Sequence, residues 1–194
     1  MKKHFIFATA NSHKLQEVHK VLNHDMYTVE SLKDVGITDD IPETGDTLEE
    51  NALIKARYVA DKMSANVFSE DSGLEVDALD GAPGVITARY AGSQKDAKDN
   101  MQLLLNNLKG ASDREAQFRA IIALIIDGQE VLFEGVVRGR IATAISGVEG
   151  FGYDPIFIPD GYDSTFADLP SEVKLSMSHR SKALKKMMNF LENR

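Results

Sequence analysis

The sequence predicts an α/β fold, with helices packed against a long mixed sheet. Three observations carry this prediction. A short apolar run, Phe5-Ile6-Phe7-Ala8, leads straight into a helical pattern. Two long segments rich in β-branched residues, 116–126 and 131–142, are joined by Asp127-Gly128, a strong hairpin signal. Further helical stripes lie before and after that hairpin.

In order, residues 4–8 read as a buried first strand, after which Ser12 caps a helix to about Asn23 with Leu15, Val18 and Leu22 on one face. Tyr27 to Leu32 reads as a second strand. Thr47, with Glu50 three residues later, forms a capping box that opens a helix to Met63, with Leu48, Ala52, Ala56, Val59 and Met63 as its apolar stripe. Residues 67–69 and 74–78 are expected as strands on either side of an Asp71-Gly73 loop, followed by a turn at Asp80-Gly81. A helix is expected over 95–108, and a last one over 178–191 with Ala183, Leu184, Met187, Met188 and Leu191 facing the core.

Composition sets the bounds. With 194 residues, 43% hydrophobic and 27% charged, the chain can bury one sizeable core, and no repeat or low-complexity tract divides it, so a single domain over 1–194 is expected. No apolar run approaches the roughly 20 residues that span a bilayer, and the N-terminal run is too brief for a signal segment, so a cytoplasmic location without membrane contact is expected. The absence of cysteine excludes disulfides, thiolate catalysis and Cys-ligated zinc, leaving oxygen and imidazole ligands that favour Mg²⁺ or Mn²⁺. A net charge of -8 argues against a nucleic-acid surface. A small phosphorylated ligand remains compatible, given a divalent cation and a local group of cations.

The stretch from Glu43 to Leu74 is the densest in chemistry. Glu43 lies in a long loop, 33–46, which is more chain than a connection needs. Asn51 and Lys55 are four apart and share a helix face near the positive end of that helix, within reach of a phosphate or a carboxylate; a solvated face is the plain alternative. Asp71 follows an apolar strand, where α/β sheets commonly bind ligands, although Asp-Ser-Gly is also ordinary turn chemistry. Two carboxylates with Mg²⁺ can bridge phosphate oxygens and leave one acid to take a proton from water.

Thr9-Ala10-Asn11-Ser12-His13-Lys14 follows a strand and opens a helix, which makes it a candidate anion site or an ordinary N-cap. It lacks the glycines of a P-loop. Gly150-Phe151-Gly152-Tyr153-Asp154-Pro155 combines exposed backbone with aromatic rings and can receive a base, or it is a tight turn pinned by core rings. Lys174, Ser178, His179 and Arg180 add donors at the start of the last helix, and Arg89 adds another in a loop.

Taken together and in order, these segments resemble the inosine triphosphate pyrophosphatase family. The resemblance runs through Thr9 to Lys14, Glu43-Thr44-Gly45, Glu50-Asn51-Ala52, Lys55-Ala56, Glu70 to Leu74, Pro83-Gly84, Ala88 to Gly92, Gly150 to Pro155 and Ser178-His179-Arg180. It implies a two-lobed α/β protein with a long central mixed sheet flanked by helices, a cleft between the lobes, a homodimer and a Mg²⁺ requirement. It also implies hydrolysis of inosine, deoxyinosine and xanthosine triphosphates between the α and β phosphates, releasing pyrophosphate.

Residue by residue, the resemblance gives Glu43 and Asp71 to the metal, with Asp71 also the proton acceptor and Lys55 catalytic. Thr9 to Lys14, Asn51, Lys55 and Ser72 are implied at the phosphates, and Phe151, Gly152, Tyr153, Asp154, Lys174, His179 and Arg180 at the nucleoside and base. Ala10 departs from the family's usual Gly, and Thr87 from its usual Ser. The alternatives are a nucleotide sensor without hydrolysis and a Mg²⁺-dependent phosphatase of other metabolites.

Overall fold

A computed structural model of the protein describes residues 2–194. Six strands form one sheet in the order β2-β1-β3-β4-β5-β6. They are β1 (Lys3–Phe7), β2 (Tyr27–Ser31), β3 (Val67–Val76), β4 (Glu115–Ile126), β5 (Gln129–Ile141) and β6 (Phe157–Pro159). The helices are α1 (Ser12–Val21), α2 (Leu48–Met63), α3 (Ala97–Asn107), α4 (Ser171–Met177) and α5 (His179–Glu192), with 3-10 turns at Asp77–Leu79, Gly84–Arg89 and Asp154–Ile156. β1 runs parallel to β2 and β3, and β5 runs antiparallel to β6, so the sheet is mixed as predicted.

The β4-β5 hairpin turns on Asp127 and Gly128, both at positive φ (49° and 75°), the two-residue geometry whose twist suits the flanking strands. At the start of α2 the capping box is complete. Thr47 accepts from the Glu50 amide, and the Glu50 side chain accepts from the Thr47 amide.

The chain divides into two compact units. One comprises the described residues up to Asp71, with Ala120–Gly135 and Arg180–Arg194. Its core gathers Phe5, Phe7, Val18, Tyr27, Phe68, Ile122, Leu124, Leu184 and Met187. Phe7 and Phe68 stack at 4.5 Å between ring centres, and neither is exposed. The other comprises Ser72–Arg119 and Val136–His179, with a core of Leu74, Leu104, Phe118, Tyr153, Ile156, Phe157 and Phe166.

Two expectations are corrected. Asn11, rather than Ser12, caps α1, its carbonyl oxygen accepting from the His13 and Lys14 amides at 3.0 and 3.2 Å. The Asp71-Gly73 segment is not a loop but the middle of the continuous strand β3. The place of β3 in the sheet between β1 and β4 outweighs the local turn preference of Asp-Ser-Gly; beyond its register with β1 at Val67 and Phe68, the Leu74 amide is met by the Thr87 hydroxyl. Gly73 fits there because a Cβ would come within 2.6 Å of the Gly84 carbonyl oxygen. The helix expected over 178–191 is α5, and it is preceded by the short helix α4 with Ser178 extended (ψ 155°) between them.

Replacing Phe68 by Ala removes a stacked ring from a closed core. The expected loss is about 3–5 kcal/mol of unfolding free energy, read from urea denaturation followed by circular dichroism.

Candidate functional site

In the first unit the pleat of β3 sorts the charges. Successive side chains leave opposite faces of a strand, so Ser69 and Asp71 project to one side and Glu70 to the other. On the Asp71 side lies α2, whose Ala52 carbonyl accepts the Ser69 hydroxyl. The Lys55 ammonium from α2 donates to Asp71 Oδ1 at 3.0 Å and also to Glu43 Oε1, so one cation joins both predicted metal carboxylates. Burial pulls the Lys55 pKa down, but Asp71 and Glu43 outweigh it and raise it. Burial raises the Asp71 pKa, against the opposing pull of Lys55 and Lys14.

On the other side, α1 and α5 face Glu70. The Arg180 guanidinium makes a two-pronged contact, Nε to Glu70 Oε2 at 2.5 Å and Nη2 to Oε1 at 2.9 Å, and its Nη1 donates to Glu17. Lys14 reaches Glu70 Oε1 at 3.4 Å and the Glu70 carbonyl at 3.5 Å. Burial lowers the Lys14 pKa, offset in part by Glu70. For Arg180, burial acts downward while Glu70 and Glu17 hold the group more firmly protonated than a free arginine.

The loop before α2 is fixed from that helix. Asn51, buried, accepts from the Gly45 amide at 2.8 Å and donates to the Gly45 carbonyl at 3.3 Å, so both ends of its amide hold the loop that carries Glu43. A Cβ on Gly45 would meet Glu50 Cβ at 2.6 Å and Asn51 Oδ1 at 2.9 Å, which explains a glycine here. At the far end of the loop Asp39 accepts from Tyr58 at 2.6 Å and from Lys62, both on α2.

At the start of α1, Thr9 is half-buried, and Ala10, Asn11, Ser12 and His13 are exposed. Thr9 Oγ1 accepts from the Asn11 amide at 3.1 Å. Ser72 follows Asp71 on β3, half-buried. Arg89 is half-buried on the 84–89 turn.

In the second unit Asp154 organises the glycine-aromatic segment. Its Oδ2 accepts from the Phe151 amide at 2.8 Å and from the buried Lys174 ammonium at 2.7 Å. That ammonium stands over the Phe151 ring at 4.8 Å and the Phe166 ring at 5.9 Å. Gly150 and Gly152 both have positive φ, and Gly150 packs on the Asp154 carboxylate. Tyr153 is buried, with its pKa raised by burial, and its hydroxyl donates to the Thr87 carbonyl at 2.8 Å. His179 stacks on Phe118 at 4.8 Å, with the rings 11° from parallel.

The predicted residues thus assemble as two groups, Lys14, Glu43, Lys55, Asp71 and Arg180 in the first unit and Phe151, Tyr153, Asp154, Lys174 and His179 in the second. Sequence reading missed Glu17, although it lies three residues after Lys14 on one helix face. It also missed Phe166 and Phe118, for which no local signal exists.

The donor set suits a hard cation. Glu43 and Asp71 present carboxylate oxygens around one point, and the described residues hold no group of three or more His, Cys, Asp or Glu that could hold a metal ion. A Mg²⁺ held by two carboxylates completes its shell with phosphate oxygens and water.

A family model described as the Ham1 family matches residues 5–190. The dITP/XTP pyrophosphatase of Flavobacterium johnsoniae is 46% identical over 186 residues, covering 96% of each chain. That of Bacillus subtilis is 47% identical over 193 residues, covering 98% of each. Among solved structures, the Staphylococcus aureus Ham1 protein superposes with a TM-score of 0.90 at 39% identity, covering 98% of this chain and 99% of that one. A HAM1 protein from Coxiella burnetii gives 0.91 at 36% identity, covering 99% and 100%.

Replacing Arg180 by Leu leaves Glu70 and Glu17 without their guanidinium, and the expected destabilisation is about 3–5 kcal/mol in chemical denaturation. Adding Glu70→Gln to that variant is expected to recover part of the loss. Arg180→Lys is expected to rescue little, because a single ammonium cannot make the two-pronged contact.

Proposed function

The chain belongs to the Ham1 family, and from that premise we propose that it hydrolyses non-standard purine nucleoside triphosphates, dITP, ITP and XTP, to the monophosphate and pyrophosphate. The observation that carries this reading is the joining of Glu43, Lys55 and Asp71 around one ammonium, with a second, half-buried lysine, Lys14, at Glu70. Near-full-length relatives bearing the name dITP/XTP pyrophosphatase support the substrate class.

In this reading Glu43 and Asp71 hold Mg²⁺, with Mn²⁺ as substitute, and the ion when bound neutralises charge on the phosphate oxygens. Asp71 takes the proton of the attacking water as its oxygen bonds to the α phosphorus. The bond from that phosphorus to the bridging oxygen breaks, and the electron pair leaves with pyrophosphate. Lys14 and Lys55 balance the developing charge, while Thr9, Ala10, the cap residue Asn11 and the first residues of α1 (Ser12 and His13) offer donors to phosphate oxygens, as does Ser72. Asn51 keeps the Glu43 loop in place, and Arg180 keeps Glu70 fixed next to Asp71.

Phe151, Gly152, Tyr153, Asp154, Lys174 and His179 receive the nucleoside. Donors directed at position 6 accept an oxo group and reject the amino group of adenine, which would leave two donors facing each other. The reading includes a homodimer in the cytoplasm. No helix among the described residues is long and apolar enough to cross a membrane.

Incubation with ITP, XTP and ATP, resolved by ion-exchange chromatography, is expected to yield monophosphate and pyrophosphate from the first two. Inosine diphosphate with orthophosphate would overturn the cleavage position. Asp71→Asn is expected to lower turnover by at least a thousandfold while ITP still binds. EDTA is expected to stop turnover, and added Mg²⁺ to restore it.

A further inference from the structure

We infer that Thr87 is a positioning residue that sets purine selectivity, by fastening the Tyr153 segment to the strand that carries Asp71 and Ser72. This role rests on the nucleotide reading above. The hydroxyl of Thr87 is fully used. It accepts from the Leu74 amide at 2.9 Å and donates to the Gly84 carbonyl at 2.5 Å. Its backbone carbonyl accepts the Tyr153 hydroxyl at 2.8 Å.

One residue therefore holds β3 with its side chain and the 150–154 segment with its main chain. The turn 84–89 is also pressed directly onto β3. Gly73 leaves no room for a Cβ against the Gly84 carbonyl, and Glu75 bridges to Pro83. The neighbouring stretch is fixed too, since buried Asn100 on α3 donates to the Ala88 carbonyl at 3.0 Å and accepts from the Ala91 amide at 2.7 Å.

The chemistry of the residue suits this use. Threonine's second Cβ substituent restricts χ1, so the hydroxyl is held toward Leu74 and Gly84 rather than sampling other rotamers. Leu74 is the third residue after Asp71 on one strand, and Tyr153 is the immediate neighbour of Asp154, which orders Phe151 and Lys174. A shift of the 84–89 turn therefore moves the Tyr153 anchor relative to β3. Selectivity depends on donor placement to a fraction of an ångström, so it should respond before turnover is lost.

The test compares Thr87→Val, which keeps the shape and deletes the hydroxyl, with Thr87→Ser, Tyr153→Phe and the double variant Thr87→Val/Tyr153→Phe. Steady-state constants for ITP and ATP are measured well below each variant's melting temperature. Tyr153→Phe, which deletes one hydrogen bond, is expected to raise KM for ITP about fivefold, Thr87→Val, which deletes two, at least as much, and each to narrow the ITP-to-ATP ratio of kcat/KM. Thr87→Ser is expected to match the unchanged protein. The double variant is expected to fall short of the product of the single effects, as coupled groups do.

An unmoved ITP-to-ATP ratio in both single variants, or effects that multiply, would overturn the role of Thr87 while leaving the enzymatic reading intact. Absence of ITP turnover in the unchanged protein would overturn that reading and this role with it. Should Thr87→Val not fold, Tyr153→Phe against Thr87→Ser decides, since the first deletes the hydroxyl that anchors to Thr87 and the second keeps the Thr87 hydroxyl.

Discussion

The contact on which the first unit depends is the one between Arg180 and Glu70. Both groups are buried, and burying a lone carboxylate or guanidinium is costly enough that neither would remain there charged without the other. The geometry answers that cost. Two parallel N–H donors meet two carboxylate oxygens, and the remaining edge of the guanidinium serves Glu17. The pair also joins three elements distant in sequence, since Glu17 is on α1, Glu70 on β3 and Arg180 on α5.

Its consequence for the site follows from the pleat. Holding Glu70 on one face of β3 fixes the direction in which the next side chain, Asp71, leaves the other. Asp71 then meets Lys55 from α2, and Lys55 in turn holds Glu43. The Asp71 carboxylate is thus oriented by an ion pair on the opposite face of its strand. Arg180 also shows why a residue's type does not fix its task. A guanidinium has five N–H donors, and Nε, Nη1 and Nη2 are directed at carboxylates within its own unit, so the group acts here as a structural clamp on Glu70.

Much of this was legible in the sequence, and the limits have physical causes. The hairpin at Asp127-Gly128 and the capping box of α2 depend on local chemistry, and both appear as read. The pairing of Lys55 with Glu43 and Asp71 was foreshadowed by their proximity along the chain. The continuity of β3 was not, because turn-forming residues lie within it and its partners in the sheet, distant in sequence, decide the outcome. Lys174 was read with the start of the last helix, whereas it lies on a separate helix, α4, whose seven residues are too few for periodicity to reveal. Asn51 was read as facing a phosphate or a carboxylate, and its amide is matched to the Gly45 peptide instead. Side-chain amides bind peptide groups as readily as phosphates, so spacing alone could not separate the two. Glu17 and Thr87 act through partners far away in sequence, and no local pattern encodes such partners.

Charge explains why a divalent ion belongs to the functional reading for reasons beyond ligand chemistry. The chain carries a net charge of -8, which repels a polyphosphate at long range. Within the first unit, the cations Lys14, Lys55 and Arg180 face the carboxylates Glu17, Glu43, Glu70 and Asp71. Four acids against three cations leave the cluster slightly negative, so its lysines are largely committed to neutralising their own neighbours. A triphosphate approaching such a cluster alone gains little from it. In the proposed reading, a doubly charged cation on Glu43 and Asp71 would turn the local balance positive and would free Lys55 in part for phosphate oxygens. Attraction of the phosphates would then be conditional on the metal.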